Sequence, residues 1–365
     1  MKKIITILCF SSCFIFVFIL SLERSSAIAE EQIGNFTIAK VLIQKESIKF
    51  QPKLEEKMGA FYTSFYRGSE ELSWKTLLSR RDRRGTISSL DAKEWPYRLN
   101  GLVVVKWRTK EISDPEINKM RSGTGLLIGP RYVLTAAHTL YKDRSDLEKL
   151  SLDLDYNWPE SVEFYPGKNF TAGTLYDPNK KEEYCPFGKF AATTIILDQR
   201  YIDGLAQVDS LVSFKKHVFP YDYALLVLDR DIGNTIGWAG IAALPDDVLN
   251  NELRALLYGY PAALNPLIQD RVDVDVLDIL AAFPLVGMNG VINHIEENNL
   301  YYDIDTQGGQ SGAGLLASVN NGTYCIGVHT QGVDLNPSEI SSKNNSGTRI
   351  SKEHFFRIAS WMEHY

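Results

Sequence analysis

The pattern of hydrophobic and polar positions divides the chain into three parts. An unbroken apolar run from Ile4 to Leu20 comes first, and a stretch rich in Lys, Glu and Gln extends from Glu30 to about Leu78. Beyond it, short apolar runs alternate with Gly, Pro, Asn and Asp. Short runs between such breaks are typical of strands, because a helix needs a longer periodic segment. Most of the chain is therefore predicted to be β structure.

Short apolar runs recur through this β-rich part, and together they favour an all-β barrel or sandwich. The predicted strands are Leu102–Trp107, Gly125–Ile128, Tyr132–Thr135, Thr193–Leu197, Ala224–Leu228, Ala255–Tyr258, Leu300–Ile304 and Tyr324–His329. The end of the chain departs from this pattern. Ser351 can cap a helix that has Phe355, Ile358, Ala359 and Met362 on one face, so a helix is predicted to pack on the β structure there.

The N-terminal run has the three parts of an export signal. Lys2 and Lys3 precede the apolar segment, and the small residues of Ala27-Ile28-Ala29 follow it. We predict a signal peptide over residues 1–29, cleaved near Ala29, and hence a secreted protein, extracellular or periplasmic. The alternative is an uncleaved anchor, since the apolar run is nearly long enough to span a bilayer. A membrane is an expected partner only in that case.

Residues 30–84 end in the basic cluster Arg80-Arg81-Asp82-Arg83-Arg84. A polar segment with a basic end, placed between a signal peptide and a β-rich region, is typical of a propeptide with a processing site. The alternative is an N-terminal extension that carries a solvated run of charges.

Composition and charge narrow the classes of partner. The 365 residues are 44% hydrophobic and 23% charged, which is enough apolar content for one large or two modest cores. The net charge of -6 and the pI near 5.6 argue against nucleic acid as a partner. We expect a globular monomer.

The cysteines leave a question open. Cys9 and Cys13 lie in the predicted signal peptide, so the exported chain keeps Cys185 and Cys325. An oxidising compartment permits a disulfide between them, and two separate thiols fit the sequence equally well. In either case the fold does not depend heavily on disulfides.

A glycine-rich segment carries the strongest chemical signal. Ser311 lies in Gly308-Gly309-Gln310-Ser311-Gly312-Ala313-Gly314. The glycines let the backbone turn tightly, so that the N–H groups of Gly309 and Ser311 can point at one spot, as an oxyanion hole requires. A phosphate-binding loop is the alternative, but the segment lacks a Gly-Lys-Ser/Thr pair and a following helix pattern. Ser311 is therefore the predicted nucleophile.

Two further segments supply the base and the carboxylate that a nucleophilic serine needs. His138 follows a predicted strand in Leu134-Thr135-Ala136-Ala137-His138, and Asp222 leads the apolar strand in Tyr221-Asp222-Tyr223-Ala224. Taken alone, His138 can be structural and Asp222 can cap a turn. The order His, Asp, Ser at nearly equal spacing is what two consecutive barrels with a cleft between them would give. We therefore predict a catalytic triad.

From about Trp95 to its end, the chain resembles the trypsin-like serine proteases, and among them the glutamyl endopeptidases secreted by bacteria. The resemblance lies in the three motifs above and in Phe164-Tyr165-Pro166-Gly167, Gly259-Tyr260-Pro261, Val328-His329-Thr330 and Gly347-Thr348-Arg349-Ile350. It implies two six-stranded antiparallel β-barrels with the active site between them. The implied division is a first barrel over residues 85–205 with His138, a second over 206–350 with Ser311, and a C-terminal helix over 351–365.

The chain departs from the vertebrate trypsins just before the serine. Gln310 stands where those enzymes have an Asp that pairs with the freed N-terminus, so that activation switch cannot operate here. In the bacterial branch the mature amino group is thought to help bind an acidic substrate side chain, which would place maturation near Leu78 to Arg84. The cysteine that many relatives have after His138 is also missing.

Specificity is where the resemblance gives conflicting signals. The residues that match the pocket wall are Asp305, Thr306, Gln307, His329, Thr330, Gln331 and Gly332. His329 and Thr306 match positions that contact a substrate glutamate in acid-specific relatives, and both side chains can donate to a carboxylate. Asp305 stands where trypsins keep the acid that attracts Lys and Arg. The family favours Glu, then Asp, at the cleaved position, although His329 can also be a satisfied strand histidine.

The expected reaction is acyl transfer on protein or peptide substrates, with no metal or cofactor. Two other classes compete with it. An inactive protease-fold binding module is one, and the complete set of motifs argues against it. An esterase or lipase is the other, but the strand-turn-helix setting and the Ser, acid, His order of that fold are absent.

Overall fold

The structure of the protein, a computed structural model, describes residues 28–33, 36–41, 62–63, 84–109, 120–169, 181–250, 252–262, 284–319, 322–332 and 344–365. The predicted signal peptide, except for its last two residues, and most of residues 30–84 lie outside this set. Signal cleavage and propeptide processing therefore stay predictions. In the described part of the chain, no helix is long and apolar enough to cross a membrane.

Strands dominate the described residues, and the helices between them are short. The strands are β1 (Ile28–Ile33), β2 (Phe36–Val41), β3 (Tyr62–Thr63), β4 (Gly85–Thr86), β5 (Asn100–Lys106), β6 (Met120–Leu127), β7 (Tyr132–Thr135), β8 (Ser161–Pro166), β9 (Phe190–Asp198), β10 (Ala224–Leu228), β11 (Gly240–Ala243), β12 (Arg254–Gly259), β13 (Val286–Ile295), β14 (Asn299–Tyr302), β15 (Gly314–Val319), β16 (Gly322–Gln331) and β17 (Asn345–Arg349). The α-helices are α1 (Ala137–Leu140), α2 (Arg144–Lys149), α3 (Lys181–Tyr184), α4 (Gln199–Leu205), α5 (Leu211–His217), α6 (Gly233–Ile236), α7 (Asp246–Leu249) and α8 (Lys352–His364).

Six antiparallel strands close the first barrel. Around the ring they follow the order β9, β10, β7, β6, β5 and β8, and β8 pairs with β9 to close it. The strand β2 adds to β9 in parallel, from Thr37 opposite Thr194 to Val41 opposite Asp198, and β1 pairs with β2. The N-terminal segment thus extends the sheet of the first barrel.

The position of β10 corrects the predicted division of the chain. Leu225 of this strand pairs with Leu134 of β7 and with Ile196 of β9, so β10 belongs to the first barrel. The boundary at residue 205 is therefore too early, and Asp222, directly before β10, lies in the first barrel with His138. The division failed because α4 and α5 fill the connection from β9 to β10, although the two strands are neighbours.

A second ring of six antiparallel strands follows the order β15, β12, β13, β14, β17 and β16, and β16 pairs back with β15. Three further strands attach to it: β4 pairs with β13, β11 runs parallel to β16, and β3 pairs with β11. The two barrels and the C-terminal helix confirm the predicted fold.

Strands such as β10 and β12 are buried on both faces, which explains their almost continuous apolar runs. In β10, Leu226 fills the interior of the first barrel, whereas Leu225 and Val227 face a cluster that both barrels share. In β12, Leu257 fills the second barrel and Leu256 joins the same shared cluster. This shared cluster packs the two barrels against each other.

The helix α8 is attached to the barrels by packing, by capping and by charge. The Ser351 side chain accepts the His354 N–H and caps the helix, as predicted. Trp361 is buried in the cluster between the barrels. Arg357 contacts the buried carboxylate of Asp198 at 3.1 Å, and this ion pair joins the helix to the end of β9.

The structure has no disulfide between Cys185 and Cys325. Cys185 is partly buried, and Cys325 is fully buried, with its Sγ donating to the Gly327 carbonyl at 3.2 Å. Of the two alternatives that the sequence left open, the structure has the one without a disulfide between these residues.

Candidate active site

His138 and Asp222 come together because the strands next to them are paired. His138 lies in α1, directly after β7, and Asp222 lies just before β10. Asp222 Oδ1 accepts the His138 backbone N–H at 2.9 Å, and Oδ2 lies 2.7 Å from His138 Nδ1. Asp222 is 1% exposed, whereas the His138 side chain is 28% exposed. A buried carboxylate therefore fixes the imidazole at Nδ1 and leaves the other side of the ring accessible.

The Ser311 loop turns tightly in front of β15. Gly309 and Gly312 have φ values of 94° and 89°, in the left-handed region that favours glycine. A Cβ on Gly309 would lie 2.5 Å from the carbonyl oxygen of Tyr260, and one on Gly312 would lie 2.1 Å from that of Thr124. Within the described part of the chain, the N–H groups of Gly309 and Ser311 donate to no protein acceptor. Both amides are therefore open to an oxyanion.

Thr124 of β6 ties the serine loop to the first barrel. Its N–H donates to the Ser311 carbonyl at 2.8 Å. Its hydroxyl donates to the Gly309 carbonyl and accepts the Tyr260 N–H, both at 3.0 Å. The sequence analysis did not identify this residue. The signal was the run Ser122-Gly123-Thr124-Gly125, because glycines inside a strand mark close approach of another backbone.

Ser311 lies beside the His138 loop without a hydrogen bond to the imidazole. A Cβ on the next residue, Gly312, would lie 2.2 Å from Thr135 Oγ1 and 2.9 Å from the N of Ala136, just before α1. The Ser311 hydroxyl has no hydrogen-bond partner among the described residues. In free enzymes such bonds are often long and tighten when substrate binds. The loop that carries Ser311 therefore lies against the segment that leads into His138, where the second barrel contacts the first.

The predicted pocket residues lie on two segments beside this cleft. Asp305 and Thr306, both partly buried, follow β14; His329 and Thr330 are buried on β16, and Gly332 is exposed just after it. The hydroxyl oxygens of Thr306 and Thr330 are buried and have no hydrogen-bond partner within the described residues. Buried hydroxyls are normally paired. These two hydroxyls thus remain available to a ligand as far as the described residues are concerned.

His329 is joined to the serine loop by its backbone. Its N–H donates to the Ala313 carbonyl and its carbonyl accepts the Gly312 N–H, both at 2.8 Å. Its Nδ1 lies 2.6 Å from the Tyr302 hydroxyl and 3.2 Å from the Ser346 carbonyl oxygen. Burial, with the nearby His138 as a smaller cause, lowers the pKa of His329 to about 3. The ring is therefore neutral at ordinary pH.

Arg84 contacts the residue before the serine, which the sequence analysis did not predict. Its guanidinium donates to Gln310 Oε1 at 2.9 Å and to Gln307 Oε1 at 3.2 Å. Gln310 Oε1 also accepts the Gln307 N–H at 2.9 Å. The last residue of the basic cluster thus contacts the loop that carries Ser311.

Two curated proteins are similar to this chain in sequence. No family model matches the chain. A glutamyl endopeptidase of Bacillus licheniformis is 26% identical over 324 residues, which are 86% of this chain and 83% of that protein. A protein of Bacillus subtilis named as an extracellular metalloprotease is 24% identical over 288 residues, 77% of this chain and 68% of that protein.

A solved structure has the same fold. It is described as a Glu endopeptidase in complex with MPD, and it matches 77% of this chain and 98% of its own chain, with a TM-score of 0.50 and 21% identity.

Within the described residues, no group of three or more His, Cys, Asp and Glu side chains is arranged to hold a metal ion. The chain is a serine protease of the trypsin-like fold, related to glutamyl endopeptidase.

Proposed function

We propose that this protein is a secreted serine endopeptidase in which Ser311 is the nucleophile, His138 the general base and Asp222 the carboxylate that orients it. One observation carries the proposal: Asp222 holds His138 by two contacts, at 2.9 and 2.7 Å, beside a serine loop with two open amides. A carboxylate that only capped a turn would not need to fix an imidazole at the edge of a cleft. Both relatives are named as proteases, which supports peptide-bond hydrolysis, but the second name denotes a metal-dependent enzyme, so the serine mechanism is argued from the geometry above.

The geometry favours an acyl-enzyme mechanism. His138 takes the proton of the Ser311 hydroxyl while Oγ attacks the peptide carbonyl carbon, and the carbonyl oxygen becomes an oxyanion held by the Gly309 and Ser311 amides. The Asp222 carboxylate accepts a hydrogen bond from His138 Nδ1–H and stabilises the imidazolium. His138 then gives its proton to the leaving amine as the peptide bond breaks. Water attacks the acyl-enzyme in a second round of the same steps and releases Ser311.

The proposal includes a preference for Glu, then Asp, at the cleaved position. Thr306 and Thr330 offer hydroxyls that have no hydrogen-bond partner among the described residues, and His329 adds an imidazole; all three groups can donate to a carboxylate. The printed names of a relative and of the solved structure point to the same side chain. Cleavage after Lys or Arg, through Asp305, is the alternative outcome.

Processing near Arg84 belongs to the same proposal. Arg84 directly precedes β4, which pairs with β13, and its side chain contacts the loop that carries Ser311. A cut at this point would therefore change contacts next to the nucleophile. Secretion is supported by the signal-like N-terminus and by the extracellular relative.

The test uses the processed protein, its Ser311→Ala variant and a Ser318→Ala control, because Ser318 is an exposed serine on β15. Each is incubated with a peptide library, and cut sites are identified by mass spectrometry. We expect cleavage after Glu in the unaltered protein and the control, and a loss of about a thousandfold or more in Ser311→Ala.

Two other outcomes change the conclusion. Cleavage after Lys or Arg that depends on Ser311 would keep the mechanism and assign specificity to Asp305. If a folded, processed sample shows no Ser311-dependent cleavage and no labelling by a fluorophosphonate, the protease proposal fails and a binding module is favoured.

A further inference from the structure

A tyrosine behind the candidate pocket controls what the His329 ring can offer to a ligand. Tyr302 of β14 is fully buried, and its hydroxyl oxygen lies 2.6 Å from His329 Nδ1. The second polar group near Nδ1 is the backbone carbonyl of Ser346, at 3.2 Å. His329 Nε2 has no hydrogen-bond partner among the described residues and is not fully enclosed. The ring is thus held from behind at one nitrogen and open at the other.

The hydroxyl proton of Tyr302 decides which nitrogen of His329 is protonated. In the described part of the chain, this hydroxyl has no acceptor other than His329 Nδ1. A buried O–H that donates to nothing costs free energy, whereas the carbonyl of Ser346 can only accept. The proton of Tyr302 is therefore directed at Nδ1, which leaves Nδ1 as an acceptor and puts the ring proton on Nε2.

We propose that Tyr302 is a positioning residue for substrate specificity: its hydroxyl fixes the tautomer of His329 so that Nε2–H faces the pocket as a donor to an acidic side chain. This inference rests on the proposed preference for Glu and explains how that preference is built. A neutral imidazole has one N–H, so the other tautomer would present a lone pair to the carboxylate and repel it.

Both groups stay in the required protonation state at working pH. Burial raises the pKa of Tyr302 well above its usual value, which keeps the hydroxyl a donor. Burial also lowers the pKa of His329 to about 3, so the ring is neutral at neutral pH before substrate binds. Donation to a carboxylate therefore depends on the tautomer alone.

Tyr302→Phe tests the proposal, because it removes the hydroxyl and keeps the ring. The matched control is Tyr301→Phe on the same strand, whose hydroxyl bonds to Glu296 rather than to the pocket. We expect kcat/KM for a substrate with Glu at the cleaved position to fall about ten- to a hundredfold in Tyr302→Phe, mainly through KM. Cleavage of the matching Gln substrate and fluorophosphonate labelling of Ser311 should change much less, since neither needs a donor to a carboxylate.

Nitrogen NMR of the histidines shows which ring nitrogen is protonated, and a purely structural effect of Tyr302 would leave this unchanged. In the Ser311→Ala background, which prevents self-cleavage, His329 should carry its proton on Nε2. With Tyr302→Phe added, the proton should move to Nδ1, where the Ser346 carbonyl can accept it. The His329 signal is assigned by its loss in His329→Gln.

Each failure has its own meaning. If Nδ1 is protonated in the presence of Tyr302, or if Tyr302→Phe lowers Glu and Gln cleavage equally, the inference is wrong. If the unaltered protein does not prefer Glu but its tautomer still depends on Tyr302, the specificity proposal fails while the proton assignment stands.

Discussion

Thr124 shows how one side chain can hold the cleft from the opposite barrel. Three hydrogen bonds from this fully buried residue reach Ser311, Gly309 and Tyr260, all of which lie in the second barrel. The hydroxyl takes part in two of them, as donor and as acceptor. A side chain of the same shape without the hydroxyl would leave a carbonyl and an N–H without partners next to the oxyanion hole.

Thr124→Val is therefore expected to affect both activity and stability. Loss of the two hydroxyl bonds should cost about 2 kcal/mol of unfolding free energy and lower kcat by roughly tenfold, as the oxyanion amides become less well positioned. Urea unfolding and steady-state kinetics measure the two effects. Thr193→Val is the control, because that exposed residue donates its hydroxyl proton to the Val227 carbonyl and to none of the site residues. Equal losses in both variants would contradict a role for Thr124 at the site.

At the scale of elements, the serine loop depends on glycine at some positions and not at others. Gly312 has a φ of 89°, and a Cβ there would lie 2.1 Å from a backbone oxygen of Thr124. Gly308, four residues earlier in the same loop, has nothing within 4 Å of the position of a Cβ. The two glycines look alike in the sequence and differ in what they permit.

Gly312→Ala should therefore disrupt the loop, and Gly308→Ala should not. The first change forces the backbone of Ser311 away from Thr124, so we expect a loss of several kcal/mol in stability and a fall of about a hundredfold or more in kcat/KM. Gly308→Ala should change the unfolding free energy by no more than about 0.5 kcal/mol and kcat/KM by no more than about threefold. Thermal unfolding with peptide cleavage compares them, and near-normal activity in Gly312→Ala would contradict the observed loop geometry.

Each strand that the sequence predicted contains a run of buried apolar side chains. Every residue of β10 is a buried aliphatic, and the predicted run matches the strand from end to end. By contrast, β13 is interrupted by Gly and Asn, and β17 is polar although all its residues are buried. Such strands are held by pairing with neighbours, which their own residue types do not reveal. The pairing of β9 with β10 was also not predicted, because the long connection that contains α4 and α5 separates the two strands in the sequence.

At the scale of the whole molecule, stability should depend on pH through buried histidines. Burial lowers the pKa of His354 to about 4 and that of His329 to about 3, from an ordinary value of 6.5. Below pH 6.5 both histidines become protonated in the unfolded chain. In the folded chain they stay neutral until the pH falls to about 4 for His354 and about 3 for His329. The folded state is therefore fully stable above pH 6.5 and loses stability as the pH falls from there toward 4.

His354→Gln should flatten this dependence. The unfolding free energy is measured by urea between pH 7 and 4 in the Ser311→Ala background. We expect the total drop over that range to shrink by on the order of 3 kcal/mol relative to unaltered His354, since about 1.4 kcal/mol accompanies each pKa unit. His364→Gln, at an exposed position of the same helix, is the control. An unchanged drop in His354→Gln would show that this group does not carry the effect.

The candidate site could be predicted as residue types but not as contacts. His138, Asp222 and Ser311 lie in motifs whose chemistry is visible in the sequence. Other contacts join positions far apart in the chain, such as Arg84 to Gln310 or Tyr302 to His329. They depend on how the barrels close and stack, which no local pattern encodes. Whether Cys185 and Cys325 form a disulfide depends on the same information.

Closure of both barrels has a consequence for a protein that cuts chains and meets its own copies at high concentration. A peptide usually enters a protease cleft as an extended segment whose backbone is free to bond to the enzyme. The barrel strands pair around each ring, and β9, β13 and β16 pair in addition with β2, β4 and β11, so the paired segments cannot bond to another molecule without breaking a sheet. Autolysis is thereby directed away from the barrels and toward the connecting segments, and the folded architecture is itself a protection against self-digestion.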